Sequence, residues 1–271
     1  EYITDYEKKC LEVAALIHDL GHGPYSHLFD DIIDEHKDHE YRSIGLFKII
    51  NKRLQLGFTE NDIDFISSII KPKAFPKKKK YLYQIVSNPN GIDVDRFDYI
   101  MRDIKMIGLN YGIEYERIMK HSKIINNEIV FSEKVKTHIE DFFRTRFIMY
   151  KEIYNHKTVR GIEFMMKEFL IKSDKVYGIK DIICNDKWDL FIQLTDSIVD
   201  LICFLPVNSH IRDLLYILGS IKRRNIYKSV GELYCYEDIE IVNNDENIIV
   251  DKVLLNYYGH EKCQYYQEAN N

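Results

Sequence analysis

The chain's densest group of side chains able to bind a metal or transfer a proton lies between residues 18 and 27. Three histidines and one aspartate occur there, at His18, Asp19, His22 and His27. Imidazole and carboxylate groups are common ligands of divalent and transition metals. A His–Asp pair at the buried end of a helix would cost several kcal/mol without partners, and a bound cation removes that cost. The pattern therefore favours a metal site over histidines that merely pack in a core.

A second polar series follows helical spacing. Asp95, Tyr99 and Asp103 stand at i, i+4 and i+8, so they share one face of a predicted helix. A row of carboxylates by itself is usually a solvated face. Ile92 and Met106 flank this row with apolar character, so we interpret it as a half-buried wall.

A third series, Arg146, Tyr150 and Tyr154, also shares a face. Arginine and tyrosine side by side suit a phosphate together with a sugar or a stackable ring. An amphipathic helix whose arginine extends along the surface explains the series equally well. His39, between Asp38 and Glu40, gains significance only if the fold brings it to the other histidines.

Apolar periodicity predicts a mostly helical chain around these residues. Helices are expected over 5–20, 39–54, 60–70, 93–107, 115–122, 137–157, 159–173, 179–181, 190–205 and 212–221, with a turn over 87–91. Short strands are expected near 128–131 and over 238–242 and 248–255. Gly21, Gly23 and Pro24 should end the first helix, and the glycines should turn the backbone so that His22 and His27 face one pocket.

Composition excludes several classes of protein. Of 271 residues, 38 are Lys or Arg and 43 are Asp or Glu, which excludes nucleic-acid binding by bulk charge but leaves a local basic pocket open. The five cysteines form no CxxC pair, which favours reduced thiols inside a cell. The most apolar stretch, 197–207, is too short for a bilayer, which needs about 20 apolar residues. The lysine-rich segment 71–80 is interpreted as a solvated loop, with a nuclear-import or phosphate-binding patch as the minority alternative.

Taken together, three segments resemble the HD-domain metallophosphohydrolases, and most closely the deoxynucleoside triphosphate (dNTP) triphosphohydrolases of the SAM-and-HD-domain type. They are HDLGHGPYSHLFD from His18, the His39–Glu40 pair and NGIDVDRFDYIMRD from Asn90. The resemblance continues through 154–157 and 223–232, and no SAM domain accompanies it. It implies a mostly α fold with a helical HD-domain core over 1–175 and a small α+β lobe over 176–271, both expected to be incomplete.

The resemblance also implies three sets of site residues. The metal ligands would be His18, Asp19 and Asp95. The polar groups around the scissile phosphate would be His22, His27, Asp30 and His39. The substrate contacts would be Arg96, Tyr99, Asp103, Arg146, Tyr154 and Asn155. Arg96 stands where lysine is common and Asn155 where glutamine is common, and the Tyr154 position packs beneath the deoxyribose and excludes a 2′-hydroxyl.

The implied reaction is metal-dependent hydrolysis of a dNTP to a deoxynucleoside and triphosphate. An Fe, Zn, Mn or Mg ion would lower the pKa of a bound water, and the resulting hydroxide would attack the α-phosphate. His27 or His39 would protonate the leaving 5′-oxygen, with Asp30 orienting one of them. Arg96 and Arg146 would offset the charge of the polyphosphate.

The resemblance further implies a homo-oligomer, dimer or tetramer, with nucleotides bound at its subunit contacts. The residues that match these regulatory positions are Arg117, Lys134, His156, Lys157 and Arg224. An intracellular location, cytoplasmic or nuclear, is expected without membrane attachment, and nucleic-acid binding is not indicated.

Two alternatives stay open. One is an HD-type nucleotidase or phosphodiesterase that acts on another phosphate ester. The other is a catalytically dead HD scaffold that binds nucleotide or nucleic acid. The family carries a further histidine ligand in an upstream helix, whereas the 17 residues before His18 contain no histidine. We therefore expect three protein ligands and a chain that is a fragment of a longer protein.

Overall fold

The computed structural model describes residues 3–33, 37–237, 239, 241, 243, 245–255 and 259–267. Within them the α-helices are α1 Asp5–Ile17, α2 His27–Asp30, α3 His39–Leu54, α4 Glu60–Ile70, α5 Lys80–Val86, α6 Val94–Met106, α7 Tyr115–Lys120, α8 Lys136–Ile148, α9 Lys157–Tyr177, α10 Ile179–Cys184, α11 Trp188–Phe191, α12 Ile198–Leu201 and α13 Ser209–Lys222. A π-helix, Met149–Tyr154, continues α8. The strands are β1 Ser122–Ile125, β2 Glu128–Ser132 and β3 Tyr265–Tyr266. The fold is therefore mostly α, as the sequence predicts.

The first four long elements, α1, α3, α4 and α5, form one layer of the core. Thr4 and Glu7 make a reciprocal capping box that starts α1. From there Cys10 and Ala14 turn inward and are fully buried with Ile66 of α4 and Tyr81 of α5. This packing fixes the position of the C-terminal end of α1, and His18 follows directly after that end.

A second core places α6 opposite that end. Ile100 of α6, Ile118 of α7 and Phe142 of α8 are all fully buried in one cluster. The antiparallel β1–β2 hairpin covers the cluster, and its turn residues Asn126 and Asn127 adopt the left-handed conformation that asparagine tolerates. β3 then pairs in parallel with β2.

The remaining helices pack against the loop between α1 and α3. Phe169 of α9 and Leu214 of α13 are fully buried together. Phe29 packs with Leu46 and with Phe191 of α11 in a neighbouring cluster. Side chains from α2 and α3 are thereby fixed by helices from later in the sequence.

Most predicted helices are confirmed, including 39–54 and 60–70 at their full length. The continuous helix predicted over 190–205 is wrong. α11 ends at Phe191 and α12 begins at Ile198, because the residues between them turn and Asp196 accepts a hydrogen bond from the backbone of Tyr25. The first helix ends at Ile17 rather than at residue 20.

The strand near 128–131 is confirmed as β2. The strand predicted over 248–255 is wrong, because these described residues are not in a strand and Ile248, Ile249 and Val250 remain exposed. Positions 238, 240 and 242 of the other predicted strand lie outside the described residues. The boundary at residue 175 stays a prediction, and β1 and β2 both precede it.

Candidate metal centre and active site

The end of α1 delivers His18 to the centre of the site. His18 caps the helix, and its Nδ1 lies 2.9 Å from the carbonyl oxygen of Ala15. A carbonyl only accepts, so Nδ1 donates, and Nε2 is the nitrogen that can act as a ligand once it is deprotonated. That nitrogen lies 3.3 Å from a carboxylate oxygen of Asp19 and 3.3 Å from one of Asp95. It is buried and lacks a hydrogen-bond partner among the described residues.

We call His18, Asp19 and Asp95 the metal triad. One ligand atom from each lies within 4.8 Å of the others. Asp95 is the main cause that raises the pKa of His18 to about 9, so this position favours a positive charge. A buried imidazole nitrogen without a partner, facing two carboxylates, is a donor set that suits a divalent or transition metal ion. The residues present therefore fit a metal, and their role as ligands stays a prediction.

The loop from residue 21 to 26 differs from expectation in how it turns. The left-handed residues are Tyr25 and Ser26, with φ of 62° and 52°, rather than the glycines. The glycines instead allow close packing. A Cβ at Gly21 would lie 2.2 Å from the carbonyl oxygen of His39, and one at Gly23 would lie 2.4 Å from the ring of Phe29. Strain at two non-glycine residues thus brings the chain back toward His22.

The second group, which we call the histidine cluster, consists of His22, His27, Asp30 and His39. The His22 and His39 rings stack with centroids 4.1 Å apart, and His27 meets His22 edge-on at 4.8 Å. His39 Nδ1 donates to Asp30 Oδ2 over 2.8 Å. The fold thus brings His39 to the other histidines from the first turn of α3.

The histidine cluster also has the donor atoms of a metal site, since they lie within 4.8 Å of one another. However, the Asp30 carboxylate already accepts hydrogen bonds from His39 and from Arg42. A carboxylate engaged at both oxygens is a poorer ligand. The role of this cluster around the scissile phosphate stays a prediction.

Charged neighbours set the protonation of the cluster. Burial acts to raise the pKa of Asp30, but hydrogen bonds from His39 and Arg42 outweigh it and lower that pKa to about 2. For His39, burial opposes the charged form, yet Asp30 and Glu40 raise its pKa above the ordinary value. For His27, desolvation and the positive charges of His22 and His39 lower the pKa. Two neighbouring imidazoles are thus driven toward opposite protonation states.

The predicted polar face of α6 forms the wall of the site. Asp95 completes the metal triad at its start. One turn later Tyr99 faces Arg146, and burial raises the pKa of its phenol. At the far end Asp103 accepts a hydrogen bond of 2.5 Å from the hydroxyl of Tyr154. At about 1.5 Å per residue the face spans about 12 Å.

The two predicted phosphate-binding arginines differ in their surroundings. Arg146 projects from the last turn of α8, and its Nε is buried without a hydrogen-bond partner among the described residues. Arg96 donates instead to Asp93, the residue that caps α6. Asn155 donates through Nδ2 to the carbonyl oxygen of Tyr150 over 2.8 Å. Arg146 is therefore the better placed of the two to gain a new partner.

Tyr150 and Tyr154 lie on the π-helix, where their rings meet edge-on at 6.4 Å. π-Helices recur at functional sites because the wider turn displaces side chains from the regular helical path. The shared face predicted from sequence is therefore confirmed for this pair, although on a helix of different pitch.

The residues predicted for nucleotide-linked regulation lie at exposed positions outside the two clusters. They are Arg117 on α7, Lys134 before α8, His156 and Lys157 at the start of α9, and Arg224 after α13. Their role stays a prediction. In the lysine-rich segment, residues 71–79 are not helical and Lys80 begins α5. Lys71 pairs with Asp38 and Glu40, and Lys80 pairs with Glu128.

Sequence reasoning missed Arg42 and Ser43. Both are fully buried at the start of α3 and hold the loop that carries His18 and Asp19 of the metal triad. Arg42 follows His39 by three residues, a spacing that gives no signal of burial. Only the packing of α3 against that loop reveals the two residues.

Comparison with known proteins agrees with this geometry. The HD domain family model matches residues 2–103. A deoxynucleoside triphosphate triphosphohydrolase SAMHD1 homolog of Dictyostelium discoideum is 34% identical, over 96% of this chain and 54% of its own length. An HD domain-containing protein of Acanthamoeba polyphaga mimivirus is 36% identical, over 91% of this chain and 60% of its own. The human deoxynucleoside triphosphate triphosphohydrolase SAMHD1 is 32% identical, over 90% and 45% respectively.

The chain spans about half the length of the curated relatives it matches. Among the described residues, no helix is both long and apolar enough to cross a membrane. The match to the domain model covers the metal triad and the histidine cluster, and the relatives extend the similarity through most of the remaining sequence. The chain contains an HD domain over residues 2–103 and is similar over most of its length to the dNTP triphosphohydrolases of the SAM-and-HD-domain type.

Proposed function

We propose that this chain hydrolyses dNTPs to a deoxynucleoside and triphosphate with the help of a bound metal ion. The observation that carries the proposal is the single face of α6, which runs from the metal triad at Asp95 to the Tyr154–Asp103 hydrogen bond. Its length of about 12 Å suits a phosphate at one end and a nucleoside at the other. The names of the relatives from Dictyostelium and human specify the same substrate class.

His18, Asp19 and Asp95 would hold the metal, and Fe, Zn, Mn and Mg are the candidate ions. When bound, such an ion supplies a water of lowered pKa and polarises a phosphoryl oxygen. The triad's own contribution is to keep a buried imidazole nitrogen and two carboxylates facing one point.

The arginines would recognise the polyphosphate. Arg146 has a buried Nε without a hydrogen-bond partner in the described part of the chain, so a phosphate oxygen would satisfy it. Arg96 adds positive charge beside Asp93, although part of that charge is already neutralised. A local pair of arginines allows a chain of net charge −5 to bind a polyanion.

Proton transfer to the leaving group would fall to the histidine cluster. The oxygen of water forms a bond to the α-phosphorus while the bond to the 5′-oxygen breaks, and that oxygen needs a proton. His39 is the favoured donor, because the bond from its Nδ1 to Asp30 supports the protonated ring. His27, whose side chain is 83% exposed and whose pKa is lowered, lies nearer to solvent.

At the other end, Tyr154 would contact the sugar. Its hydroxyl is fixed by Asp103, so the ring has a defined position. A rigid ring beneath a deoxyribose leaves no room for an added 2′-hydroxyl. We infer selection for deoxynucleotides at this point.

The decisive experiment incubates the purified chain with dGTP and Mn²⁺ or Mg²⁺ and separates the products. Deoxyguanosine and triphosphate in equal amounts are expected, and an Asp95→Asn variant should abolish them. The appearance of dGDP or dGMP without triphosphate would instead favour the alternative of a nucleotidase or phosphodiesterase. A purified chain that binds no metal and turns over no substrate would favour the dead scaffold.

We further propose that Arg117, Lys134, His156, Lys157 and Arg224 bind nucleotides at contacts between copies of the chain. All five are exposed basic residues, as such contacts require. Light scattering with and without dGTP tests this, and an unchanged molar mass would contradict it. The substrate class implies an intracellular location, in the cytoplasm or the nucleus.

A further inference from the structure

Arg42 is the largest side chain that is completely buried, with none of its surface exposed among the described residues. Its Nε donates to the carbonyl oxygen of Gly21 over 2.7 Å, and its Nη1 donates to that of Lys37 over 2.6 Å. Its Nη2 donates to Asp30 Oδ1. Two aromatic rings enclose the guanidinium, with Phe29 at 5.3 Å and Phe191 at 5.6 Å.

This one guanidinium connects the two halves of the site. Gly21 lies between Asp19 of the metal triad and His22 of the histidine cluster. Asp30, held by Nη2, accepts the Nδ1 proton of His39 through its other oxygen. The Arg42 guanidinium therefore helps to set the distance between the loop after α1 and His39.

Ser43, the next residue of α3, holds the same loop independently. Its hydroxyl accepts from the backbone N–H of Gly21 over 2.8 Å and donates to the carbonyl oxygen of His18 over 2.7 Å. The backbone of the loop after α1 thus has a second attachment that does not involve Asp30. Loss of Arg42 should free Asp30 while Ser43 still retains His18.

Packing alone does not explain an arginine at this position. Removing a guanidinium from water is costly, and apolar side chains of similar volume often replace buried ion pairs without loss of stability. Burial lowers the pKa of Arg42, whereas Asp30 opposes that effect. The planar fork, with its several donors in fixed directions, is the feature that Lys or Met cannot reproduce.

We propose that Arg42 is a positioning residue that fixes Asp30, and through it His39, relative to the metal triad. The inference rests on the proposed function, in which His39 supplies the proton to the leaving 5′-oxygen. Arg42 itself does not touch the substrate in this scheme. It acts by keeping the His39 ring in one orientation.

The test compares Arg42→Met and Arg42→Lys with Arg53→Met, an exposed arginine on the same helix that pairs with Asp189. Three quantities are measured on each chain: bound metal, the steady-state constants for dGTP, and the signal of the His39 Nδ1 proton in spectra of protein with isotope-labelled histidine. In Arg42→Met we expect unchanged metal content, a kcat lower by about 10- to 100-fold and a KM within about threefold of wild type. The His39 proton signal should broaden or disappear.

Arg42→Lys keeps a charge near Asp30 but lacks the fork, so its kcat should lie between those of Arg42→Met and the wild type. If Arg42→Met does not fold, Arg42→Lys tests the proposal through the same three measurements. Arg53→Met should match wild type in all three measurements.

The proposal is overturned if a folded Arg42 variant keeps the wild-type kcat and the wild-type His39 signal. It is also overturned if metal and kcat decrease in the same proportion, since Arg42 would then act on the triad. If the wild type does not hydrolyse dGTP, the proposed function fails. The His39 signal still reports whether Arg42 orients that ring.

Discussion

The hydroxyl of Tyr154 donates to Asp103 over 2.5 Å and joins the π-helix after α8 to the end of α6, 51 residues earlier in the chain. Burial and this hydrogen bond both raise the pKa of the Tyr154 phenol, so it stays protonated at neutral pH. The bond fixes the ring at the end of the wall that begins at the metal triad.

Replacing Tyr154 with alanine should relax the choice of sugar. We expect the ratio of GTP to dGTP hydrolysis, compared as kcat/KM, to rise by at least about 10-fold because the space beneath the ribose opens. Tyr150→Ala removes the neighbouring ring and should leave the ratio unchanged. A Tyr154→Ala enzyme that still rejects GTP would show that another group selects the sugar.

Loss of the proton donor should depend on the leaving group. His39→Gln should lower the rate with dGTP by about 10²- to 10⁴-fold, because the alkoxide then leaves without a proton. The deficit should be much smaller with a p-nitrophenyl phosphodiester, whose leaving group needs no proton. His27→Gln serves as the comparison. If His39→Gln loses the same factor in rate on both substrates, His39 is not the proton donor.

The Asp30 carboxylate should contribute stability that acid removes. Its folded-state pKa, lowered from 3.8 to about 2, corresponds to about 2 kcal/mol. Because the folded pKa is depressed, this stability is present above about pH 4 and is lost as the pH falls toward 2. In urea unfolding, the difference in the free energy of unfolding between wild type and Asp30→Asn should become smaller as the pH falls over this range. Asp31→Asn removes an exposed carboxylate paired with Lys167 and should differ little from wild type at any pH. A difference in the free energy of unfolding between wild type and Asp30→Asn that does not change with pH would contradict the lowered pKa of Asp30.

Metal content should depend on the triad and not on histidines elsewhere. His18→Gln and Asp95→Asn should each lower the affinity for the metal by about 10-fold or more, because each removes a ligand. Elemental analysis of the purified variants should therefore find less bound metal than in wild type. His210→Gln, at an exposed position of α13, is the matched control. Retention of the full metal content in both triad variants would place the ion elsewhere.

Gly21 should tolerate no side chain, because α3 lies against it. An added Cβ would lie 2.2 Å from the carbonyl oxygen of His39 and 2.4 Å from the backbone nitrogen of Ser43. Gly21→Ala should lower the free energy of unfolding by about 1–3 kcal/mol. Gly112→Ala, where no atom of the residues that the structure describes lies within 4 Å of the added carbon, should change it little. Equal stability of the two variants in urea would contradict the observed packing.

Local patterns carried much of the prediction. The apolar spacing predicted α3 and α4 at their observed bounds, and the i, i+4, i+8 spacing of Asp95, Tyr99 and Asp103 predicted one wall of the site. The prediction over 190–205 failed because Asp196 bonds to the backbone of Tyr25, a contact across 171 residues. A helical pattern within that segment could not reveal such a partner.

The sequence by itself determined which residues could do chemistry, since residue type and helical period are local properties that adjacent residues specify. The tertiary structure alone decided which of them meet. In the folded chain the His39 ring stacks on His22, and Asp30 accepts hydrogen bonds from His39 and Arg42. The Arg42 side chain is fully buried between two aromatic rings. The tertiary structure also assigned the left-handed turn to Tyr25 and Ser26 and the close contacts to Gly21 and Gly23. These outcomes depend on how α3 packs against the loop after α1, which is settled by buried contacts between residues distant in sequence rather than by any local pattern.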